Sequence, residues 1–216
     1  MLDFANSYPD TSIHGIDIYP DLFPQSLPPN ITLSVCSITT LPPSWGQTFN
    51  FIHQRLLSLA LTRSEWEAGL SEMFRVVKPG GWIQLEEAIT DFPNSGPATQ
   101  RLGLAINQTA LQRGVMSRCA ESIPDLLTEA GFINVTTLQH DIQFGGQGDE
   151  QSQAGAFTIK ELFRSMRHSV VKAGIVESFE LYDDLLKEAE REWHLGSGPS
   201  EEANCFPFFQ FCAQRP

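Results

Sequence analysis

Four side chains sit near the ends of short apolar runs, where a residue can reach a ligand while its neighbours stay in a sheet. Asp17 lies within Ser12 to Ile18 (SIHGIDI), His53 closes Phe49 to His53 (FNFIH), and Glu86 and Glu87 end the run that starts at Trp82 (WIQLE). An imidazole changes charge near neutral pH, so His53 can serve as a general base toward an attacking hydroxyl. The plainer alternative is that it packs or bonds to a backbone group. A carboxylate at a strand terminus accepts hydrogen bonds, so Asp17 can hold a hydroxylated ligand or cap the segment that follows. Neighbours on a strand point to opposite faces, so one of Glu86 and Glu87 is expected to face the site and the other solvent.

Other chemistries find less support. The five histidines (His14, His53, His140, His168, His194) are scattered, without an H-E-x-x-H pair, and the four cysteines (Cys36, Cys119, Cys205, Cys212) show no C-x-x-C spacing. No metal site is expected, and the cysteines are expected to be reduced thiols. A formal net charge of -12 opposes a polyphosphate partner, so nucleic acid is not expected to bind. No stretch approaches the roughly 20 apolar residues that span a bilayer, and MLDFANSYPD lacks the pattern of a secretory signal. A soluble, cytoplasmic protein is expected. A chain of 216 residues can bury one full core, so residues 1–216 are expected to form a single domain.

The elements that must position these residues follow from the pattern. Strands are predicted at Ser12 to Ile18, Ile31 to Val35, Phe49 to His53, Trp82 to Glu86, Phe132 to Ile142 and Phe206 to Ala213, after a helix tail at Leu2 to Tyr8. Ser64 with Glu67 reads as a capping box, starting a helix that carries Trp66, Leu70, Met73 and Val77 on one stripe and stops at Lys78-Pro79-Gly80-Gly81. Further helices are predicted at Ala98 to Met116, Ser122 to Ala130, Phe157 to Ala173 and Phe179 to His194, with a polar loop from Gly145 to Gln153. The order suits a mostly parallel sheet covered by helices.

Three patterns in series, HGIDIYP at His14 to Pro20, FNFIHQRLL at Phe49 to Leu57 and FRVVKPGGWIQLEE at Phe74 to Glu87, resemble the class I S-adenosylmethionine-dependent methyltransferases. The nearest resemblance is to the fungal small-molecule enzymes of secondary metabolism. It also takes in LLTEAGFINV at Leu126 to Val135 and the closing FFQFCAQRP.

The resemblance implies a Rossmann-like sheet of seven strands in the order 3-2-1-4-5-7-6, strand 7 antiparallel, with helical insertions over the substrate. The predicted strands would be the family's second to seventh, and the first, with its acidic residue and G-x-G turn, is not found. Gly145-Gly146-Gln147-Gly148 follows a late edge strand and is no substitute. The gap leaves three explanations: an upstream piece, a sheet closed around a new pairing, or a strand supplied by another chain.

By the same resemblance Asp17, with Ile18 beside it, would meet the cofactor ribose, and Ser37, with Ile38, would meet the adenine. Ser37 stands in place of a usual aspartate and Asn50 where the family often has Asp. S-adenosylmethionine is therefore expected to bind this chain weakly or not at all. His53 and Glu86 would be the catalytic pair, and Phe157, Phe163, Met166 and Tyr182 would line an apolar substrate pocket or belong to the core. The expected activity is methylation of a small molecule, at oxygen. A non-catalytic, partner-binding module and a cofactor-independent natural-product enzyme remain open, as does assembly with a protein partner or a second copy.

Overall fold

Strand pairing in the computed structural model, which describes residues 1–145, 150–195 and 204–216, divides the chain into two sheets. In the smaller, β1 (Ile13–Asp17) runs parallel to β2 (Ile31–Val35), with Ile13 opposite Ile31 and Asp17 opposite Val35. The larger contains β3 (Phe49–Arg55), β4 (Val77–Ala88), β5 (Ile133–Gln143) and β6 (Cys205–Gln214) in the order β3-β4-β6-β5. There β3 and β4 are parallel, and β6 runs antiparallel to both of its neighbours.

Placed end to end, β2-β1 and β3-β4-β6-β5 reproduce the expected strand order, with a break where the family's first strand would stand. No ladder joins β1 to β3 among the described residues. Among the described residues the sheet has not closed around a new pairing. Edge-to-face ring contacts tie the starts of the two strands together, His14 to Trp45 at 5.6 Å, His14 to Phe49 at 5.7 Å and Trp45 to Phe49 at 5.2 Å. These contacts bring the start of β1 beside the start of β3.

Six helices surround the strands among the described residues: α1 (Leu2–Ser7), α2 (Arg63–Val76), α3 (Pro97–Gln112), α4 (Ile123–Glu129), α5 (Glu150–Lys172) and α6 (Phe179–Leu195). The cap of α2 lies two positions earlier than the Ser64 reading requires. Thr62 is the N-cap, its hydroxyl accepting from Glu65 N while the Glu65 carboxylate accepts from Thr62 N at 2.8 Å. Both Thr62 and Ser64 have a glutamate three residues on. The bridge from Thr62 to Val115 fixes the first frame by holding Thr62 extended. At the other end α2 passes straight into β4, which absorbs Lys78-Pro79-Gly80-Gly81 as an irregularity between the Phe49–Val77 and Phe51–Trp82 pairs. Gly80 has φ +77, which suits a residue without Cβ. The expected polar loop is shorter than its sequence suggests. Residues 146–149 lie outside the described residues, and Glu150 to Gln153 form the first turn of α5.

Burial separates into two clusters. Trp66, Leu70 and Met73 of α2 pack with Ile123, Leu126 and Leu127 against Ile83, Leu85, Phe211 and Ala213 on one face of the larger sheet. A second cluster joins Leu102 and Ile106 of α3, Phe163 of α5 and Tyr182, Ala189 and Trp193 of α6 around Phe92, Phe144 and Phe206. The covering helices therefore carry a core of their own.

The acidic end of α6 locks this cover. The Glu192 carboxylate accepts from Ala98 N at 2.8 Å, Thr99 N at 3.0 Å and Thr99 Oγ1 at 2.9 Å, so it satisfies free amides at the start of α3 and lies against its positive end. Trp193 Nε1 donates to the same Thr99 hydroxyl at 2.9 Å.

Candidate active site

The expected site residues stand in unequal states. Asp17 ends β1, and its Oδ1 accepts from Tyr19 N at 2.8 Å, so one oxygen caps the following turn. Among the described residues no hydrogen bond reaches the other carboxylate oxygen. Ile18 beside it is 54% exposed. Ser37, after β2, is turned onto its own loop: its Oγ lies 2.8 Å from Thr39 Oγ1 and accepts from Thr39 N at 3.2 Å. Ile38 packs against the first cluster beside Gly69 rather than into the open edge. Asn50 lies at the opposite, starting end of β3, where it accepts from Lys78 Nζ at 3.2 Å. A small cavity of about 200 Å³ lies beside Asp17, lined also by Met1, Gly15, Ile16, Phe23, Pro24 and Leu33.

His53 and Glu86 meet. His53 Nε2 lies 3.6 Å from Glu86 Oε2, and Arg55 Nε lies 3.5 Å from the same oxygen. Strand alternation puts Phe51, His53 and Arg55 on one face of β3, with Trp82, Gln84 and Glu86 on the same face of β4. This face is open: Phe51 is 53% and Trp82 40% exposed. The arrangement permits Glu86 to orient an imidazole and to hold it when protonated, while Arg55 competes for the carboxylate.

Glu87 points the other way, and solvent does not reach it. It is fully buried, and three donors meet it: Gln54 Nε2 at 2.6 Å, Leu57 N at 2.9 Å and Ser58 N at 2.9 Å. Burial pushes its carboxyl above the usual carboxylate range, and the three donors pull it part of the way back. The doublet Glu86-Glu87 thus splits between an open face and the interior, not between a site and solvent. Period-two alternation predicts the split, but only the packing of α2 and α4 decides which glutamate turns inward.

Beyond β4 the chain is tied to the cover. Thr90 Oγ1 donates to Asn107 Oδ1 at 2.9 Å, and Asn107 Nδ2 donates to Asp91 Oδ1 at 3.1 Å. Of the four side chains considered for a substrate pocket, Phe163 and Tyr182 are fully buried, with Tyr182 Oη donating to Phe163 O at 2.6 Å. Met166 packs against the same cluster and Phe157 is 66% exposed. The core alternative describes the first three. A hollow of about 500 Å³ lies between α3 and α6 and is lined by none of Asp17, His53 and Glu86. It belongs to the cover, not to the strand edge.

The residues fit the nucleoside end of S-adenosylmethionine better than its methionine end. Asp17 offers a carboxylate oxygen at the edge, but no glycine turn stands there between β1 and β3 among the described residues. No group of three or more His, Cys, Asp or Glu is placed to hold a metal ion among the described residues, and no described helix is long and apolar enough to cross a membrane.

No family model matches the chain. Among curated proteins it is 32% identical over 178 residues to the N-methyltransferase verN of Clonostachys rogersoniana, covering 79% of this chain and 58% of that protein. It is 30% identical over 156 residues to the N-methyltransferase sirN of Leptosphaeria maculans, covering 68% of this chain and 53% of that one. With the N-methyltransferase tcpN of Claviceps purpurea it shares 26% identity over 206 residues, 89% of this chain and 72% of the relative. The chain spans just over half the length of the first two.

Solved structures agree on the fold. Phosphoethanolamine N-methyltransferase 2 of Haemonchus contortus, in complex with phosphomonomethylethanolamine and S-adenosylhomocysteine, superposes with a TM-score of 0.55 at 15% identity, covering 99% of this chain and 46% of that one. The [4+2]-cyclase SpnF superposes at 0.53 and 15% identity, covering 99% of this chain and 70% of that one. At such identities these likenesses establish the fold alone.

Proposed function

We infer that this chain, a class I S-adenosylmethionine-dependent methyltransferase related to the fungal N-methyltransferases of secondary metabolism, takes part in transferring a methyl group to a small molecule. The observation that supports the reading is a strand order matching the methyltransferase sheet, with His53 beside Glu86 near the ends of two neighbouring parallel strands. S-adenosylmethionine supplies the electrophilic methyl group. Asp17 receives a ribose hydroxyl on the oxygen that Tyr19 leaves open, and Ser37 offers only a neutral hydroxyl toward the adenine. His53 takes the proton lost by the acceptor, with Glu86 holding the imidazole that results. The protein's main work is alignment and exclusion of water, because in-line displacement at a sulfonium needs little further covalent help.

The acceptor atom is the finer question. The sequence reading expects oxygen, whereas the curated relatives above carry the name N-methyltransferase. We therefore assign nitrogen. The test is release of S-adenosylhomocysteine with matched acceptors, one bearing a secondary amine and the other a hydroxyl on the same skeleton. The amine is expected to support turnover at least tenfold faster. Preference for the hydroxyl would restore the oxygen reading, and no release with a broad panel of both would remove the methyl-transfer reading.

A further inference from the structure

At the end of β3 the backbone takes a form that an isolated chain would avoid. Leu56 has φ +56, in the left-handed region where a branched side chain is disfavoured, yet it is 48% exposed and has no core to fill. Something else must hold it there. Leu56 N donates to Glu86 O at 2.8 Å, and the next two amides, Leu57 N and Ser58 N, each donate to a different oxygen of Glu87 at 2.9 Å. Gln54 Nε2, on the strand just before, completes the set at 2.6 Å.

A fully buried carboxylate is costly unless paired, and here the pairing is spent on a turn. Its hydrogen bonds are charge-assisted and of the stronger kind. Leu57 and Leu61 then pack on the first cluster and Leu59 on the second, so the turn also joins the two cores. The side chain left over is Leu56, at the same strand end as the Arg55 and His53 face.

Resting on the methyl-transfer reading, we propose that Glu87 is a positioning residue that holds the Leu56–Ser58 turn in its strained form and so sets the apolar wall of the reaction site. Glu87 touches no ligand in this account. It acts through the two amides and through Leu56, whose exposed side chain meets the acceptor.

The experiment uses Glu87→Gln. An amide has one acceptor oxygen, so either Leu57 N or Ser58 N loses its partner. Hydrogen exchange at the amide left without a partner is expected to quicken at least tenfold while Ile83 and Leu85 in β4 keep their protection. In the turnover assay kcat is expected to fall at least tenfold with the KM for S-adenosylmethionine within twofold. Unchanged exchange would overturn the proposal, as would faster exchange with kcat unaltered. If Glu87→Gln does not fold, Glu87→Asp keeps the charge one methylene shorter and must give intermediate exchange and an intermediate kcat; wild-type values in it would also overturn the proposal. A wild-type protein without turnover would defeat the functional reading instead, and exchange alone would then decide whether Glu87 holds the turn.

Discussion

Phe163→Ala is expected to lower the free energy of unfolding by about 3–5 kcal/mol, the range for emptying a large aromatic site in a core. Phe163 is fully buried. Its ring sits 5.5 Å from that of Phe92 in an edge-to-face contact and 6.2 Å from that of Trp193. The cavity would open where α3, α5, α6 and the segment after β4 meet, and rigid aromatic neighbours relax poorly into such a space. Typical domains are stable by only about 5–15 kcal/mol, so the variant would be close to unfolding at ambient temperature. Urea denaturation of the variant against wild type measures the loss. Phe157→Ala is the internal control: its ring is 66% exposed, so its change should stay within about 0.5 kcal/mol. Equal losses at the two positions would show that the cover does not pack as described. A near-neutral Phe163→Ala would free that ring for the substrate-lining role that the sequence offered it.

His53→Ala is expected to lower turnover by about 10²–10⁴-fold, the usual contribution of a positioned general base. The geometry behind this is the 3.6 Å approach of Nε2 to Glu86, with Arg55 at 3.5 Å from the same oxygen. Because Arg55 shares the carboxylate, Glu86→Gln should cost less than His53→Ala: the amide still accepts a hydrogen bond but no longer balances the imidazolium. Steady-state rates for the two variants on one acceptor check the order. A His53→Ala enzyme that retains wild-type kcat would return His53 to the plainer role of an exposed side chain bonded to its neighbour.

Much of the fold is legible in the sequence because period and punctuation are strong where the elements are buried. The run Ile31 to Val35 becomes β2 without change of boundary, and Trp66, Leu70 and Met73 form the buried stripe of α2. What tertiary contact decides is less legible. Two overlapping cap signals, at Thr62 and Ser64, differ only through the bridge to Val115. Strand β3 runs on to Arg55 because β4 extends alongside it to Glu86. At the site, the approach of His53 to Glu86 follows from their placement near the ends of neighbouring strands. The inward turn of Glu87 does not, since alternation leaves its side open until α2 and α4 pack, and the left-handed Leu56 that accompanies it has no local propensity behind it. The use of Glu192 at the start of α3, more than ninety positions away in the chain, leaves no local signature at all.

The claim on which the functional account rests is that this chain holds the nucleoside end of S-adenosylmethionine through Asp17 and gives little to the methionine end. Thermal melting of the 216-residue chain with millimolar adenosine or millimolar S-adenosylmethionine, repeated on Asp17→Ala, tests it directly. A ligand at a hundred times its dissociation constant adds about 2.7 kcal/mol to the folded state, so tight binding would move the transition by several degrees. The account predicts small, similar shifts with the two ligands, both abolished by Asp17→Ala. A much larger shift with S-adenosylmethionine than with adenosine, or a shift that persists in Asp17→Ala, would contradict it.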